Sequence, residues 1–165
     1  MQTSDTRVTA NAPSDTTTTA KLNKPVLQQG AKGDAVVELQ TLLRTWNTYS
    51  GPVDGIFGLE VKNAVIAYQH RVFLVEDGIV GALTWQALYT GAPVNMPVLS
   101  LGSRGATVTL LQRLLKTTKD YLGAIDGGFG SGTKTAVIAF QKRSSLIADG
   151  IVGDRTWYAL SKVPH

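Results

Sequence analysis

The chain repeats itself. Pro-Val-Leu stands at 25–27 and 97–99, Leu-Gln-x-Leu-Leu at 39–43 and 111–115, and Asp-Gly-x-Phe-Gly at 54–58 and 126–130. Ala-Val-Ile-Ala follows at 64–67 and 136–139, Asp-Gly-Ile-Val-Gly at 77–81 and 149–153, and Thr-Trp-x-Ala-Leu at 84–88 and 156–160. Each pair is offset by 72 residues, so one module has been duplicated without insertion or deletion. The period is too long for a solenoid, and two copies could not stack into one. Each copy must therefore close its own small core, which is feasible but marginal at this size. The expected organisation is a flexible Thr-rich tail over 1–24, a first module over 25–92 and a second over 97–162.

Within a copy the apolar residues fall at helical spacing. Val36, Leu39, Leu42, Leu43 and Trp46 form one stripe, opened by Gly33 or Asp34 and ended before Gly51-Pro52. Val61, Ala64, Val65, Tyr68 and Val72 form a second, and a short third helix runs through Thr84, Trp85 and Leu88 to about Gly91. The second copy keeps the pattern but has Thr118 in place of Trp46, which suggests that Trp46 covers an edge of the core rather than its centre. Asp54-Gly55 and Asp77-Gly78, with Asp126-Gly127 and Asp149-Gly150, are turn signals: Asp folds its carboxylate onto backbone N–H groups and Gly accepts positive φ. No convincing period-2 strand intervenes. The fold class expected is all-α, two tandem three-helix modules with glycine-rich turns.

Composition excludes several classes of function. With no cysteine there is no disulfide framework, thiolate metal site or thiol nucleophile. The two histidines, His70 and His165, are too few for a metal site, and no cofactor is expected. No run approaches the roughly 20 apolar residues of a membrane span, and residues 1–24 lack the apolar segment of a signal peptide. The net charge of +4 is uneven. Residues 25–96 carry four basic and six acidic groups, whereas 97–165 carry nine basic and four acidic. That is a solvated-surface property first, and an attraction of the second copy for anionic partners second. Nucleic acid is not among the expected partners, because no recognition-helix or aromatic–basic pattern accompanies the charge.

The ordered series Leu-Gln-x-Leu-Leu, Asp-Gly-x-Phe-Gly, Ala-Val-x-x-(Tyr/Phe)-Gln and Asp-Gly-Ile-Val-Gly-x-x-Thr-Trp-x-Ala-Leu resembles the peptidoglycan-binding domain type 1 family, twice over, across about 25–92 and 97–162. The resemblance implies compact three-helix modules of the kind attached to bacterial and phage wall hydrolases, which they target to murein. It also implies a place in the cell envelope or outside the cell. The chain departs from the family pattern at Val61, where Thr is usual and Thr133 fits. It departs again at Leu59, Ser131, Ala82 and Asp154, where Pro is usual.

Four recurrent aspartates invite a paired-carboxylate reading, since glycoside hydrolysis needs two carboxyls roughly 5–10 Å apart. Each is followed by Gly, however, and an Asx-type turn accounts for all four. The glutamates Glu38, Glu60 and Glu76 are replaced by Leu110, Gly132 and Ala148 in the second copy, so no recurrent acid/base pair remains. Catalysis is therefore not expected. Gln40 and Gln112 read as amides that satisfy loop backbone. Gln69 and Gln141 admit that role or a ligand-binding one, with Arg71 and Arg143 nearby. Together with Tyr68 and Phe140 they form the candidate ligand set, because planar polar groups beside an aromatic suit sugars and muropeptides. The expectation is a monomeric, non-catalytic wall-binding protein using two modules for avidity, with a hydrolase acting in trans as a possible associate. The alternative is a protein-interaction or regulatory module serving a separately encoded envelope enzyme.

Overall fold

The computed structural model describes residues 23–165, so most of the expected tail lies outside the described residues. The chain divides into two compact units between Asn95 and Met96. The first contains α1 (Asp34–Thr45), α2 (Leu59–Arg71) and α3 (Ala82–Thr90). The second contains α4 (Ala106–Thr117), α5 (Ser131–Arg143) and α6 (Asp154–Ser161). Among the described residues there are no strands longer than an isolated bridge. The all-α reading holds, and so does the duplication.

In the first unit, Val36, Leu39 and Leu43 of α1 meet Val61, Ala64, Val65 and Tyr68 of α2 and Trp85, Ala87 and Leu88 of α3. These are the stripe positions read from the sequence, and burying them supplies most of the module's cohesion. Trp85 is the largest of the fully buried side chains, and its Nε1 donates to the Pro25 carbonyl at 2.8 Å. Trp157 does the same to Pro97 at 2.8 Å in the second unit. Both ends of each module are thereby fixed to one another through a single indole.

Pairs of backbone bridges pin the loops that precede the helices. Leu27 pairs with Val80 and Lys32 with Ile56; Leu99 and Arg104 pair with Val152 and Gly128 in the second unit. Each of the six helices starts at a glycine whose position offers no side-chain cap. Their order thus depends on packing and on the turns rather than on capping.

Trp46 is half-buried at the rim of the first core, as its replacement by Thr118 suggests. Its Nε1 donates to the Leu88 carbonyl at 2.7 Å, and its ring lies over Gly91, the αL residue (φ 71°) that ends α3. A Cβ at Gly91 would come within 2.3 Å of that ring. We therefore expect Gly91→Ala to destabilise the first module by about 2 kcal/mol or more, from αL strain and the clash together. Gly58→Ala, which meets open space at an extended backbone, should change it by less than about 0.5 kcal/mol. Urea denaturation of the full chain, followed by Trp fluorescence, distinguishes the two.

Candidate functional site

Each module is organised around two buried glutamines. Gln69 is 1% exposed, on the inward face near the end of α2. Its Nε2 lies 2.9 Å from Asp77 Oδ1, 3.0 Å from the Ile79 carbonyl and 3.1 Å from Thr84 Oγ1, while its Oε1 accepts from the Gly78 N–H at 3.0 Å. The same Asp77 oxygen accepts from the Ile79 N–H at 3.0 Å. The amide thus grips an Asp-Gly turn from inside, with donors on one side and the acceptor on the other. Gly78 sits at φ 71°, where a glycine is favoured.

This clamp occurs four times. Gln141 holds Asp149-Gly150 through contacts of 3.1 Å to Asp149 Oδ1, 2.9 Å to Ile151 O and 3.1 Å to Thr156 Oγ1. Gln40, fully buried on α1, holds Asp54-Gly55, donating at 2.9 Å to Asp54 Oδ1 and accepting from Gly55 at 2.9 Å. Gln112 on α4 holds Asp126-Gly127, donating at 3.1 Å to Asp126 and at 3.0 Å to the Gly128 carbonyl. The amides of Gln40 and Gln112 satisfy loop backbone, and those of Gln69 and Gln141 bond to their own turns in the same way. Their two amide protons are shared among three acceptors and each residue is 1% exposed, with Gln141 at the wall of a cleft between the end of α5 and the start of α6.

The two aromatic candidates are buried, and the two arginines bond to neighbouring segments of their own modules. Tyr68 (1% exposed) donates its hydroxyl to the Ala87 carbonyl at 2.6 Å, and Phe140 (2%) is core. The hydroxyl difference between them therefore serves packing rather than a ligand face. Arg71 donates to the Trp46 carbonyl at 2.7 Å, whereas Arg143 pairs with Asp120 and covers the Phe140 ring at 5.3 Å. Each arginine tethers the end of the first helix of its module to the second. Of the six, Arg143 alone has a largely exposed side chain.

The aspartates behave as turn anchors. The Gln40 amide and then the Ile56 N–H hold the Asp54 carboxyl below its ordinary value near 3.8. The Gly128 N–H and then Gln112 do so for Asp126, with Arg104 contributing. The Ile151 N–H leads for Asp149, against a partial loss of hydration and with help from Gln141. A carboxylate stabilised in its charged form is a poor general acid.

Concave surface is found in the second module. One cleft of about 330 Å³ opens at the start of α5, between Ser103, Arg104, Asp126, Gly128 and Phe129. Another, of about 310 Å³, lies between the end of α5 and the start of α6, lined by Ser145, Ile147, Asp149, Asp154 and Arg155 among others. Neither was anticipated from the sequence. The available signal was the position inside Asp-Gly-x-Phe-Gly that reads Ile56 in one copy and Gly128 in the other.

Two full copies of this scaffold match the peptidoglycan binding domain family, over residues 32–88 and 104–160, and the chain belongs to that family. Among curated relatives, it is 34% identical to an N-acetylmuramoyl-L-alanine amidase, CwlM, of Mycobacterium tuberculosis over 64% of this chain and 27% of that protein. It is 43% identical to the spore cortex-lytic enzyme of Bacillus subtilis over 45% of this chain and 25% of the enzyme. The chain thus spans about a quarter of the length of these relatives. Among solved structures it is similar to the SleB N-terminal domain, with 40% identity, a TM-score of 0.41, and 41% of this chain matched to 93% of that one. Family membership associates the chain with peptidoglycan and the cell wall. Among the described residues no helix is long and apolar enough to cross a membrane.

The equivalent clamps of Gln40 and Gln112 differ in a threonine. Gln112 also donates to Thr133 Oγ1 at 3.1 Å, an acceptor that Val61 cannot supply to Gln40. Thr133→Val should therefore cost the second module about 1 kcal/mol, and Val61→Thr should gain about as much in the first. Differential scanning calorimetry of the full chain reads both.

Asp54, Asp126 and Asp149 also set a pH dependence. Their folded-state values are depressed, so their contribution is present above about 3.8 and is lost as pH falls through the lower folded values. Unfolding midpoints should stay level from neutral pH to about 5 and fall below 3.8, less steeply in Asp149→Asn, whose side-chain carbonyl can still accept from Ile151.

Proposed function

We propose that the chain is a non-catalytic murein-binding protein whose tandem modules engage a repetitive polymer together, outside the cytoplasm, as a monomer. The observation that carries this reading is that the family matches, over 32–88 and 104–160, take in all three helices of each copy to within two residues, turns and clamps included. The recurrent carboxylates that could have argued for hydrolysis are each bonded to a buried glutamine within an Asp-Gly turn. A single small module offers limited contact area, and linking two raises apparent affinity by roughly 10²–10⁴-fold where both can bind at once. The relatives named as amidase and cortex-lytic enzyme suggest the setting, in which wall hydrolysis is supplied by another domain or another protein.

The test is co-sedimentation with purified sacculi. The full chain should pellet, and each half, 23–95 or 96–165, checked for helicity by circular dichroism, should pellet distinctly less. Equal retention by one half removes the avidity argument. No retention of the full chain, with stoichiometric capture of an envelope enzyme instead, favours the protein-interaction alternative. Clearing of a murein gel by purified protein would make it an enzyme.

A further inference from the structure

The cleft at the start of α5 is lined by a glycine that its backbone does not require. Gly128 has no left-handed φ, and a Cβ built there meets its nearest neighbours at ordinary contact distance: Asp126 Oδ1 at 3.7 Å and Arg104 Nη1 at 3.8 Å. A Cβ at this position is sterically acceptable. The equivalent position in the first module is Ile56, half exposed, in a corresponding backbone bridge with Lys32 as Gly128 has with Arg104. The duplicated scaffold therefore carries a branched apolar side chain at this position in one copy and no side chain in the other.

What lines the opening is chemically specific. On one side is the guanidinium of Arg104, an exposed residue that forms no ion pair among the described residues. On the other is the Asp126 carboxylate, which cannot swing across to it. Asp126 Oδ1 is fixed by Gln112 Nε2 at 3.1 Å and by the Gly128 N–H at 3.0 Å. The clamp thus fixes a carboxylate on one wall, with the Arg104 guanidinium on the other, beside the place where a side chain is missing. Ser103 Oγ, also on the wall, accepts from the Ser100 N–H at 3.0 Å, leaving its own proton to donate.

We propose that this cleft of the second module is a subsite for an amino-acid zwitterion, a carboxylate and an ammonium on one carbon. The carboxylate would lie against Arg104 and Ser103 and the ammonium against Asp126. A guanidinium presents paired N–H donors matched to a carboxylate. A ligand bearing only negative charge would meet the fixed Asp126 at close range, whereas a zwitterion satisfies both walls. The volume, about 330 Å³, is of the size used for small ligands. The inference rests on the murein reading above and narrows it: the second module would read an unblocked amino-acid end of a stem peptide rather than the glycan.

The experiment titrates the full chain, by calorimetry, with a soluble muropeptide whose stem carries a diamino acid with a free ammonium and carboxylate. It is repeated with the carboxylate amidated and with the ammonium acetylated. Binding by the wild type should weaken at least tenfold with either modification. Gly128→Ile, which installs the first module's residue, and Arg104→Ala should each weaken binding of the unmodified ligand at least tenfold, with unchanged near-ultraviolet circular dichroism and melting. Should Gly128→Ile fail to fold, Gly128→Ala and Arg104→Ala decide the matter by the same criterion.

Wild-type affinity in both folded variants would overturn the proposal. Loss on amidation but not on acetylation would overturn the zwitterion in favour of a simple anion. Sacculus binding by the wild type alongside these negative results leaves the murein reading standing and removes this one. Failure to bind sacculi removes both.

Discussion

Everything in these modules hangs on an amide enclosed by a turn. A glutamine side chain is long enough to reach from a helix face to a neighbouring loop, and it presents donors and an acceptor in one plane. Placed in the core it must satisfy all of them, because an unpaired buried polar group costs on the order of 1–3 kcal/mol. The Asp-Gly turn supplies matching partners: a carboxylate oxygen and a carbonyl for the Nε2 protons, and the glycine N–H for Oε1. Neither half is tolerable alone. The requirement fixes where each loop crosses its helix, and the backbone bridges Lys32–Ile56 and Leu27–Val80 follow from that placement. Helices without side-chain caps can then be short, since their beginnings are positioned from the adjoining loop.

The two copies apply the same frame to different surroundings. The first closes its rim with Trp46, bonded to Leu88 and gripped by Arg71 through its own carbonyl. The second has Thr118 there, bonded to Asp120, which in turn receives Arg143. The arginine does comparable tethering work in both, with a backbone acceptor in one and a carboxylate in the other. The first copy also carries a surface cluster absent from the second. Lys24 pairs with Glu38 at 2.6 Å and lies 5.7 Å from the Trp85 ring, and Tyr89 donates to the same Glu38. Burial opposes ionisation of Glu38, but the Lys24 and Tyr89 hydrogen bonds prevail and hold its carboxyl below the ordinary value. Because Leu110 stands where Glu38 does, that arrangement has no counterpart in the second module.

Much of this was legible in the sequence, and for identifiable reasons. Helix stripes such as Val61, Ala64, Val65 and Tyr68 are periodic, and periodicity survives translation into structure. The Asp-Gly pairs announced turns, and the exchange of Trp46 for Thr118 pointed to a rim. Gln69 was harder. A polar residue at the end of an apolar stripe can face inward or outward, and the choice depends on partners eight to fifteen residues away, in a turn and in the helix that follows it. Those partners, Asp77 and Thr84, had each been assigned a local role, and a turn already explained by its own chemistry gave no reason to look for a buried amide behind it. The cleft beside Gly128 was harder still, since an absent side chain leaves no pattern.

The bond from Trp85 to Pro25 spans 60 residues of sequence, and Trp157 to Pro97 spans the same. It joins the first residue of a module to its last helix, so the polypeptide arrives and departs at neighbouring points. A unit built that way can be spliced between other segments, or copied in tandem, without drawing its termini through the core. Duplication then needs only a few connecting residues, and a second copy comes to the chain already sealed. Its surface is left free to change, as Gly128 has changed, while the interior it inherited stays fixed.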